Sequence, residues 1–255
     1  MSIEPTSKKT ALSISLVIPV YNEEKIIKNT ILSVKTYMEN NFKNNFIEYE
    51  VIFIDDTSKD ATLKIADETI ETIGGNIKTI HHEKNTGKGG AVRTGMLAAH
   101  CDVIFYTDCD LAYGLDVIKE GYDIFAQNKE ADIVIGSRRK HKDGYSSYTF
   151  LRKIMSIIFF NVLKIYGGIK ETDSQTGFKG FKKDIAKKIF GLCETNGWAF
   201  DVEVLLIAQR LKLKILEMPV KIINHGESKI KAVSDGAKML KEISRIKKRV
   251  KKLDI

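Results

Sequence analysis

The sequence predicts an α/β fold in which a mostly parallel sheet is flanked by helices. Short apolar runs alternate with stretches of helical periodicity through the first half of the chain, as in repeated strand-helix-strand units. Two of the apolar runs end in paired acidic residues, at the points where strands would give way to loops. With 255 residues, 43% of them hydrophobic, the chain is long enough to bury the core that this architecture requires.

The predicted elements follow one another along the chain. Apolar runs bounded by turn residues predict strands at 13–20, 50–54, 77–81, 103–107 and 132–136. Apolar residues at helical spacing predict helices at 23–40, 59–73, 87–99 and 115–128, with Thr57 or Ser58 as the cap of the second. The second half is less regular, and we expect strands at 173–182 and 215–223 and a helix at 201–210.

The chain divides into three segments. Residues 1–10 are polar, without an apolar stretch of the signal-peptide type, and are expected to form a flexible N-terminus. Residues 11–230 are expected to form the main domain, and 231–255 a basic amphipathic helical tail. In the tail, apolar residues recur at helical spacing between lysines and arginines: Met239, Ile243, Ile246, Val250 and Leu253. Such a helix suits an anionic membrane surface, or its apolar stripe packs on the domain or on a second subunit.

Composition narrows the cellular setting and the partners. Cys101, Cys109 and Cys193 are too few and too scattered for a disulfide framework or a zinc site, so we expect a reducing, cytoplasmic setting. The formal net charge is +8, but much of the excess lies in the tail, and no nucleic-acid module accompanies it. We therefore expect no nucleic acid partner.

One apolar run raises the question of a membrane. The run at 154–166 is shorter than the roughly 20 residues that a helix needs to cross a bilayer. It is predicted to be either a core helix or an interfacial helix, next to Arg152, that admits a lipid.

Acidic residues close two of the predicted strands. Asp55 and Asp56 follow the strand at 50–54, and Asp108 and Asp110 follow the strand at 103–107. Two carboxylates one residue apart can share a divalent cation whose remaining positions take diphosphate oxygens. An isolated Asp-x-Asp is usually a solvated turn or a helix cap, but the position after a buried strand favours a nucleotide-diphosphate site.

Ordered motifs resemble those of a known family. Residues 18–24 (IPVYNEE), 55–60 (DDTSKD), 85–91 (NTGKGGA) and 108–112 (DCDLA) resemble the family 2 inverting glycosyltransferases of the GT-A fold. Residues 136–138 (GSR), 151–153 (LRK), 173–179 (DSQTGFK) and 198–203 (WAFDVE) resemble more narrowly the polyprenyl-phosphate hexosyltransferases. Within these, dolichyl-phosphate glucose synthases are the most similar group and mannose synthases the next. The resemblance implies a Rossmann-like GT-A sheet.

The resemblance also implies roles for individual residues. Donor nucleotide and sugar would be contacted by Pro19, Tyr21, Glu23, Asp55, Lys88, Asp108, Gln175, Trp198 and Asp201. Mg²⁺ or Mn²⁺ would be held by Asp108 and Asp110. Catalysis would be carried by Asp110, Arg138 and Arg152. The acceptor phosphate would be held by basic and hydroxyl side chains, namely Arg138, Arg139, Arg152, Ser156 and Lys229.

Two positions depart from the family patterns. Mannose synthases usually have Gln where this chain has Ala112, which favours a glucose synthase. The glycine that usually follows the first acidic pair is Thr57 here, and a β-branched residue argues against a need for positive φ at that position.

The expected reaction moves a hexose from a nucleoside-diphosphate sugar, with UDP-glucose favoured, to polyprenyl or dolichyl phosphate with inversion. A phosphate monoester has a second pKa near 6, so this acceptor is already an anionic nucleophile and needs no general base. Arginines that grip phosphate oxygens would be required instead. Asp201 and Glu203 are then expected to order loops or contact the donor sugar. The enzyme would lie peripherally on the cytoplasmic face of a membrane.

Several alternatives stay open at this point. The donor is UDP-N-acetylglucosamine or GDP-mannose instead of UDP-glucose, or the acceptor is a hydroxyl group, which would need Asp201 or a neighbour as base. A nucleotidyltransferase is a further rival, although its glycine-rich loop would follow the first strand, where this chain has Pro19 to Glu23. A catalytically silent nucleotide-sugar sensor or membrane scaffold is the last.

Overall fold

The computed structural model describes residues 11–145, 161, 164, 167–224 and 234–255. In these residues one sheet contains seven strands: β1 (Ile14–Val20), β2 (Tyr49–Asp55), β3 (Ile77–His81), β4 (Val103–Tyr106), β5 (Ile133–Ser137), β6 (Lys179–Lys182) and β7 (Ile215–Pro219). Their order is β3-β2-β1-β4-β6-β5-β7, and only β6 runs antiparallel to its neighbours β4 and β5. The predicted α/β class with a mostly parallel sheet is confirmed.

Helices cover both faces of the sheet. They are α1 (Ile27–Asn41), α2 (Thr62–Ile73), α3 (Lys88–Ala98), α4 (Asp116–Gln127), α5 (Lys183–Leu192), α6 (Phe200–Arg210) and α7 (Ser234–Lys252). One core cluster joins α1, α2 and α4 to the sheet, and a second joins α3, α5, α6 and α7 to its other face. Successive strand residues point to opposite faces, so Phe53 of β2 enters the first cluster and Ile52 and Ile54 enter the second.

Some predicted boundaries are wrong. Residues 173–178 are not strand, because Asp173 and Thr176 use their side chains to bond the end of β5 instead of pairing along a ladder. The strand predicted at 215–223 ends at Pro219, and α5 was not predicted at all. Helix α1 begins at Ile27, since the Glu23 carbonyl accepts hydrogen bonds from two amides in the turn before it.

Helix α3 lies unusually close to the sheet. A Cβ on Gly95 would stand 2.2 Å from Val17 Cγ1, so only glycine permits this approach to β1. At the other end, the Lys187 ammonium from α5 donates to the last carbonyls of α3, those of Met96, Leu97 and Ala99. These contacts fix the axis of α3 and point its first residue toward the carboxyl edge of β1 and β4.

The C-terminal helix packs on the domain. Ile243, Ile246 and Val250 of α7 are buried in the same core cluster as the side chains of α6. Of the two uses left open for the apolar stripe, the described residues show packing on the domain. In the part of the chain that the structure describes, every helix is too short or too polar to cross a membrane.

Candidate active site

The carboxyl ends of β1, β2 and β4 meet at one edge of the sheet. Val20 stands beside Asp55 in the parallel register of β1 and β2, and the amide of Thr107, directly after β4, donates to the Val17 carbonyl. This register brings together predicted site residues that lie at the ends of the three strands or shortly after them. They are Pro19, Tyr21, Glu23, Asp55, Asp108 and Asp110.

Asp55 presents an unpaired oxygen at this edge. Its side chain is fully buried, and Oδ2 lies 2.9 Å from Nδ1 of His81 and accepts the amide of Ser58 at 3.2 Å. Oδ1 is buried and has no hydrogen-bond partner among the described residues. Since a buried acceptor without a donor is costly, Oδ1 is suited to an N–H group of a bound base. His81, which sequence reasoning passed over, orients this carboxylate.

Asp56 holds the glycine-rich turn. Oδ1 accepts the amide of Thr86 at 2.8 Å and its hydroxyl at 2.9 Å, and Oδ2 accepts the amide of Gly87 at 2.7 Å. His82 lies 2.9 Å from the same Oδ1. Gly87 has φ of +81°, and a Cβ there would stand 2.6 Å from the Asn196 carbonyl oxygen, so this position requires glycine. Through the turn, Asp56 sets where Lys88 begins α3.

The sequence argues against a positive φ at Thr57, and this expectation is wrong, because the φ of Thr57 is +63°. The Thr57 hydroxyl donates to the His82 carbonyl at 2.8 Å, which ties the strained backbone to the end of β3. The predicted cap is wrong as well. Ser58 accepts the amide of Asn22 instead, while α2 begins at Thr62, whose amide donates to the Asp60 carboxylate.

Lys88 and the second acidic pair form the charged centre of the site. Lys88 Nζ lies 2.6 Å from Asp108 Oδ1, and both side chains keep access to solvent, at 17% and 31% exposure. Burial alone would lower the pKa of Lys88, but Asp108, Asp201 and Asp110 outweigh it and raise that pKa. Burial, together with the charge of Asp108, raises the pKa of Asp110. One ammonium therefore serves two neighbouring carboxylates.

The two carboxylates fit a divalent cation that is only partly held by protein. No group of three or more His, Cys, Asp or Glu side chains suited to a metal occurs among the described residues. Burial and the Asp108 charge, which raise the pKa of Asp110, disfavour its ionised form, and a bound cation would favour it. Gly177 adjoins this place, since a Cβ on it would stand 2.1 Å from Asp108 Oδ2. Diphosphate and water oxygens would have to complete the coordination.

Trp198 and Asp201 come from the loop before α6 and its first turn. The Trp198 ring is 45% exposed and its centroid lies 5.1 Å from Lys88 Nζ, so it borders the site instead of the core. Asp201 is buried, and its Oδ1 accepts the Tyr106 hydroxyl and the Lys179 ammonium, each at 2.5 Å. One oxygen of this carboxylate, Oδ1, thus accepts from two protein donors.

Lys179 and Tyr106 are functional-site residues that sequence reasoning missed. Lys179 is fully buried on β6 and also donates to the Thr176 carbonyl at 2.8 Å. Burial lowers the pKa of Lys179, and burial with the Asp201 charge raises the pKa of Tyr106 well above its usual value. A lysine inside the apolar run 177–181 was the available signal, because buried lysines almost always have a charged partner.

Arg138 stands at the end of β5. Its Nε donates to Oδ2 of Asp173 at 2.7 Å and its Nη2 to Oδ1 at 2.8 Å, a forked pair. Burial would raise the pKa of Asp173, but the hydrogen bonds and charge of Arg138 lower it overall. Arg139 follows Arg138 in a short turn of 3-10 helix, and Gln175 is half-buried in the loop beyond Asp173.

Other predicted acceptor residues lie outside the part of the chain that is described. They are Arg152, Ser156 and Lys229, and most of the apolar run 154–166 lies outside it too. The roles of the described residues also stay predictions.

Solved structures share this fold. Glucosyl-3-phosphoglycerate synthase from Mycobacterium tuberculosis in complex with UDP superposes with a TM-score of 0.66 at 15% identity, covering 96% of this chain and 83% of that one. The same protein with Mn²⁺, UDP-glucose and phosphoglyceric acid gives a TM-score of 0.64 at 14% identity, covering 96% and 82%. Identities this low establish the GT-A fold alone.

Sequence comparison is more specific. A dolichyl-phosphate beta-glucosyltransferase of Trichomonas vaginalis is 34% identical over 93% of this chain and 74% of the relative. A protein of the same name from Dictyostelium discoideum is 35% identical over 92% and 73%. Residues 15–190 match the family model described as Glycosyl transferase family 2. The chain therefore belongs to glycosyl transferase family 2.

Proposed function

We propose that this protein transfers glucose from UDP-glucose to dolichyl phosphate or a related polyprenyl phosphate, with inversion. The observation that carries the proposal is the similarity, over nine-tenths of the chain, to relatives named dolichyl-phosphate beta-glucosyltransferase. Direct displacement at the anomeric carbon of an α-linked donor gives the β-linked product that this name specifies. The charged groups of the site support such a displacement.

The donor would lie along the carboxyl edge of β1, β2 and β4. Asp55 Oδ1, the buried acceptor, would receive an N–H of the base, and uracil offers one. Pro19, Tyr21 and Glu23 would line the nucleotide pocket, and Lys88 would approach the diphosphate. Gln175 and Trp198 would border the sugar, and Asp201 would hold the protein wall beside it without taking a proton.

Asp108 and Asp110 would hold Mg²⁺ or Mn²⁺ at the diphosphate. When bound, the cation would neutralise charge on the departing nucleoside diphosphate. The protein's own part is to keep the two carboxylates together and Lys88 beside them, so that the leaving group meets positive charge as its bond to the sugar breaks. The Ala112 amide holds Asp110 Oδ1 at 3.0 Å, which leaves the other oxygen to face the ligand.

A phosphate acceptor suits a site without a general base. Asp201, the candidate base, is buried, and its Oδ1 accepts the Tyr106 hydroxyl and the Lys179 ammonium, which supports a scaffold role for this side chain. A lipid phosphate is an anion at neutral pH and attacks without deprotonation. Arg138 and Arg139, with Arg152, Ser156 and Lys229, would hold that anion close to the anionic donor.

The outward face of α7 would dock the enzyme on the cytoplasmic face of a membrane. Over residues 241–252, where side-chain exposure is described, its exposed residues are basic: Lys241, Arg245, Lys248, Lys251 and Lys252. Because the apolar stripe is buried, docking would be electrostatic, with each cation near an anionic surface contributing about 1 kcal/mol. Sedimentation with phosphatidylserine vesicles should capture the protein at low salt and release it at high salt. Equal capture by neutral vesicles would contradict this docking mode.

The reaction is tested with radiolabelled UDP-glucose, UDP-N-acetylglucosamine and GDP-mannose, each offered with a short-chain polyprenyl phosphate. We expect labelled lipid from UDP-glucose alone, and loss of labelling when a chelator removes the metal. Labelling from another donor would change the sugar assignment. An enzyme that binds UDP but labels no lipid would overturn the proposed acceptor.

A further inference from the structure

The C-terminal helix reaches the donor site through one buried ion pair. Arg249 of α7 contacts the Glu203 carboxylate with Nη2, donates from the same nitrogen to the Leu192 carbonyl at 2.9 Å, and places Nη1 3.2 Å from Glu194 Oε1. Glu203 is completely buried in the first turn of α6. A buried carboxylate requires such a partner, since its desolvation is costly without one.

Glu203 in turn holds a loop. Its Oε2 accepts the amide of Glu194 at 3.0 Å and the amide of Thr195 at 2.7 Å. We call residues 193–198 the donor loop, because this segment ends in Trp198. Its other anchor is Arg93 of α3, which donates to the Cys193 carbonyl at 3.0 Å. The loop is therefore fixed between α3 on one side and the Arg249–Glu203 pair on the other.

The donor loop presses against the glycine-rich turn. The Gly89 amide donates to the Asn196 carbonyl at 2.8 Å, and a Cβ on Gly89 would stand 2.6 Å from the Thr195 carbonyl oxygen. Lys88 lies between Gly87 and Gly89 in the chain, with its ammonium beside Asp108 and over the ring of Trp198. A displacement of the loop would move the turn, and the turn carries Lys88, whose ammonium is proposed to contact the diphosphate.

We propose that Arg249 is a positioning residue for the donor: by neutralising Glu203 it keeps the donor loop against the glycine-rich turn and so places Lys88. The inference rests on the proposed UDP-sugar donor. It assigns the C-terminal helix a part in donor binding that is separate from membrane docking, because Arg249 faces the domain and the docking residues face solvent.

The test compares UDP affinity, measured by the fluorescence of Trp198, the single tryptophan of the chain, and by calorimetry. Arg249→Met should weaken UDP binding about tenfold and raise the donor KM more than it lowers kcat. Arg210→Met is the matched control, because Arg210 ends α6 and donates to the carbonyl of Leu253, directly after α7, but makes no ion pair among the described residues. It should leave UDP affinity within about twofold of wild type.

A second substitution separates positioning from a loss of folding. Glu203→Gln keeps an acceptor for the two loop amides and needs no counter-ion, so the double variant Glu203→Gln/Arg249→Met should bind UDP within about threefold of wild type. Arg249→Met with unchanged UDP affinity would overturn the inference, and so would a double variant as weak as Arg249→Met. If Arg249→Met does not fold, the double variant decides alone. A wild-type protein that fails to bind UDP would instead refute the proposed donor.

Discussion

Two lysine–aspartate pairs lie in the same site and behave in opposite ways. Lys88 and Asp108 are 2.6 Å apart and keep access to solvent, whereas Lys179 and Asp201 are 2.5 Å apart and almost completely buried. The pKa of Lys88 is raised because three carboxylates surround it, and the pKa of Lys179 is lowered because burial outweighs its one close carboxylate. Similar geometry therefore does not imply a similar role.

The difference in solvent exposure determines which pair can take part in ligand exchange. An accessible ammonium among excess carboxylates can exchange Asp108 for a diphosphate at small cost, because water solvates the partner that is released. The sealed pair cannot exchange partners, since any separation leaves a charge in an apolar surrounding. We therefore propose that Lys88 and Asp108 bind ligand and that Lys179 and Asp201 form the scaffold of the sugar side.

We call Lys88, Asp108 and Asp110 the open region, and Lys179 and Asp201 the sealed region. Removal of a carboxylate from the open region should have the largest effect on turnover. Asp110→Ala should lower metal-dependent turnover roughly a thousandfold, since the cation would lose one of its two protein ligands. The fold should survive, because among the described residues only the nearby Ala112 amide donates a hydrogen bond to this side chain. Steady-state kinetics over a Mg²⁺ titration, with circular dichroism as the control, tests this. Unchanged turnover would remove Asp110 from the metal site.

Truncation of each lysine separates the two pairs directly. Lys179→Met should destabilise the fold by about 3–5 kcal/mol, because Asp201 would remain buried without its cation. Lys88→Met should cost less stability than Lys179→Met, because water reaches both Lys88 and Asp108, while weakening UDP binding. Urea unfolding and UDP titration of both variants measure the contrast. Equal losses of stability in the two variants would show that the pairs do not differ as described.

Gly177 gives a steric test of the open region. Gly177→Ala would put a methyl group against the Asp108 carboxylate, and displacement by about 1 Å can reduce turnover up to a hundredfold. Gly191→Ala is the control, since a Cβ there meets nothing within 4 Å in the helix α5. We expect a raised donor KM in the first variant and unchanged kinetics in the second. Normal kinetics in Gly177→Ala would mean that Asp108 can move without consequence.

Removal of the forked Arg138–Asp173 ion pair should have the smallest effect, a loss of stability that depends on pH. The folded-state pKa of Asp173 lies below its unfolded value of about 3.9, so its ionised form stabilises the fold above that pH and loses this contribution as the pH falls through the folded value. Asp173→Asn should cost about 2 kcal/mol near neutrality, and the difference from wild type should shrink below about pH 4. Urea midpoints across this range test it, and a constant difference would contradict it.

Sequence reasoning located the open region because its signals are local. The strand at 77–81 is predicted with the bounds that the structure has. Asp55 and Asp108 directly follow the strands predicted at 50–54 and 103–107, whose apolar composition is typical of buried parallel strands. In a parallel sheet the carboxyl ends of such strands meet at one edge, so these residues could be brought together without coordinates.

The sealed region depends on contacts between distant residues. Lys179 and Asp201 are far apart in the chain and lie on β6 and α6, and Arg249 meets Glu203 across an even longer separation. No local pattern specifies such pairs. The positive φ of Thr57 could not be predicted for a related reason. It opposes the preference of a β-branched residue, and it is held by a hydrogen bond from the Thr57 hydroxyl to the His82 carbonyl.

We propose that glucosyl transfer to a lipid phosphate proceeds without a general base, with Asp201 held as scaffold. The most direct measurement is kcat of the double variant Lys179→Met/Asp201→Asn with UDP-glucose and a short-chain polyprenyl phosphate, because asparagine keeps an acceptor for Tyr106 and the loss of the lysine leaves no buried charge without a partner. We predict a loss of less than about tenfold, with the same dependence on pH as wild type. A loss of roughly a thousandfold or more, with UDP affinity intact, would contradict the account and identify Asp201 as the catalytic base.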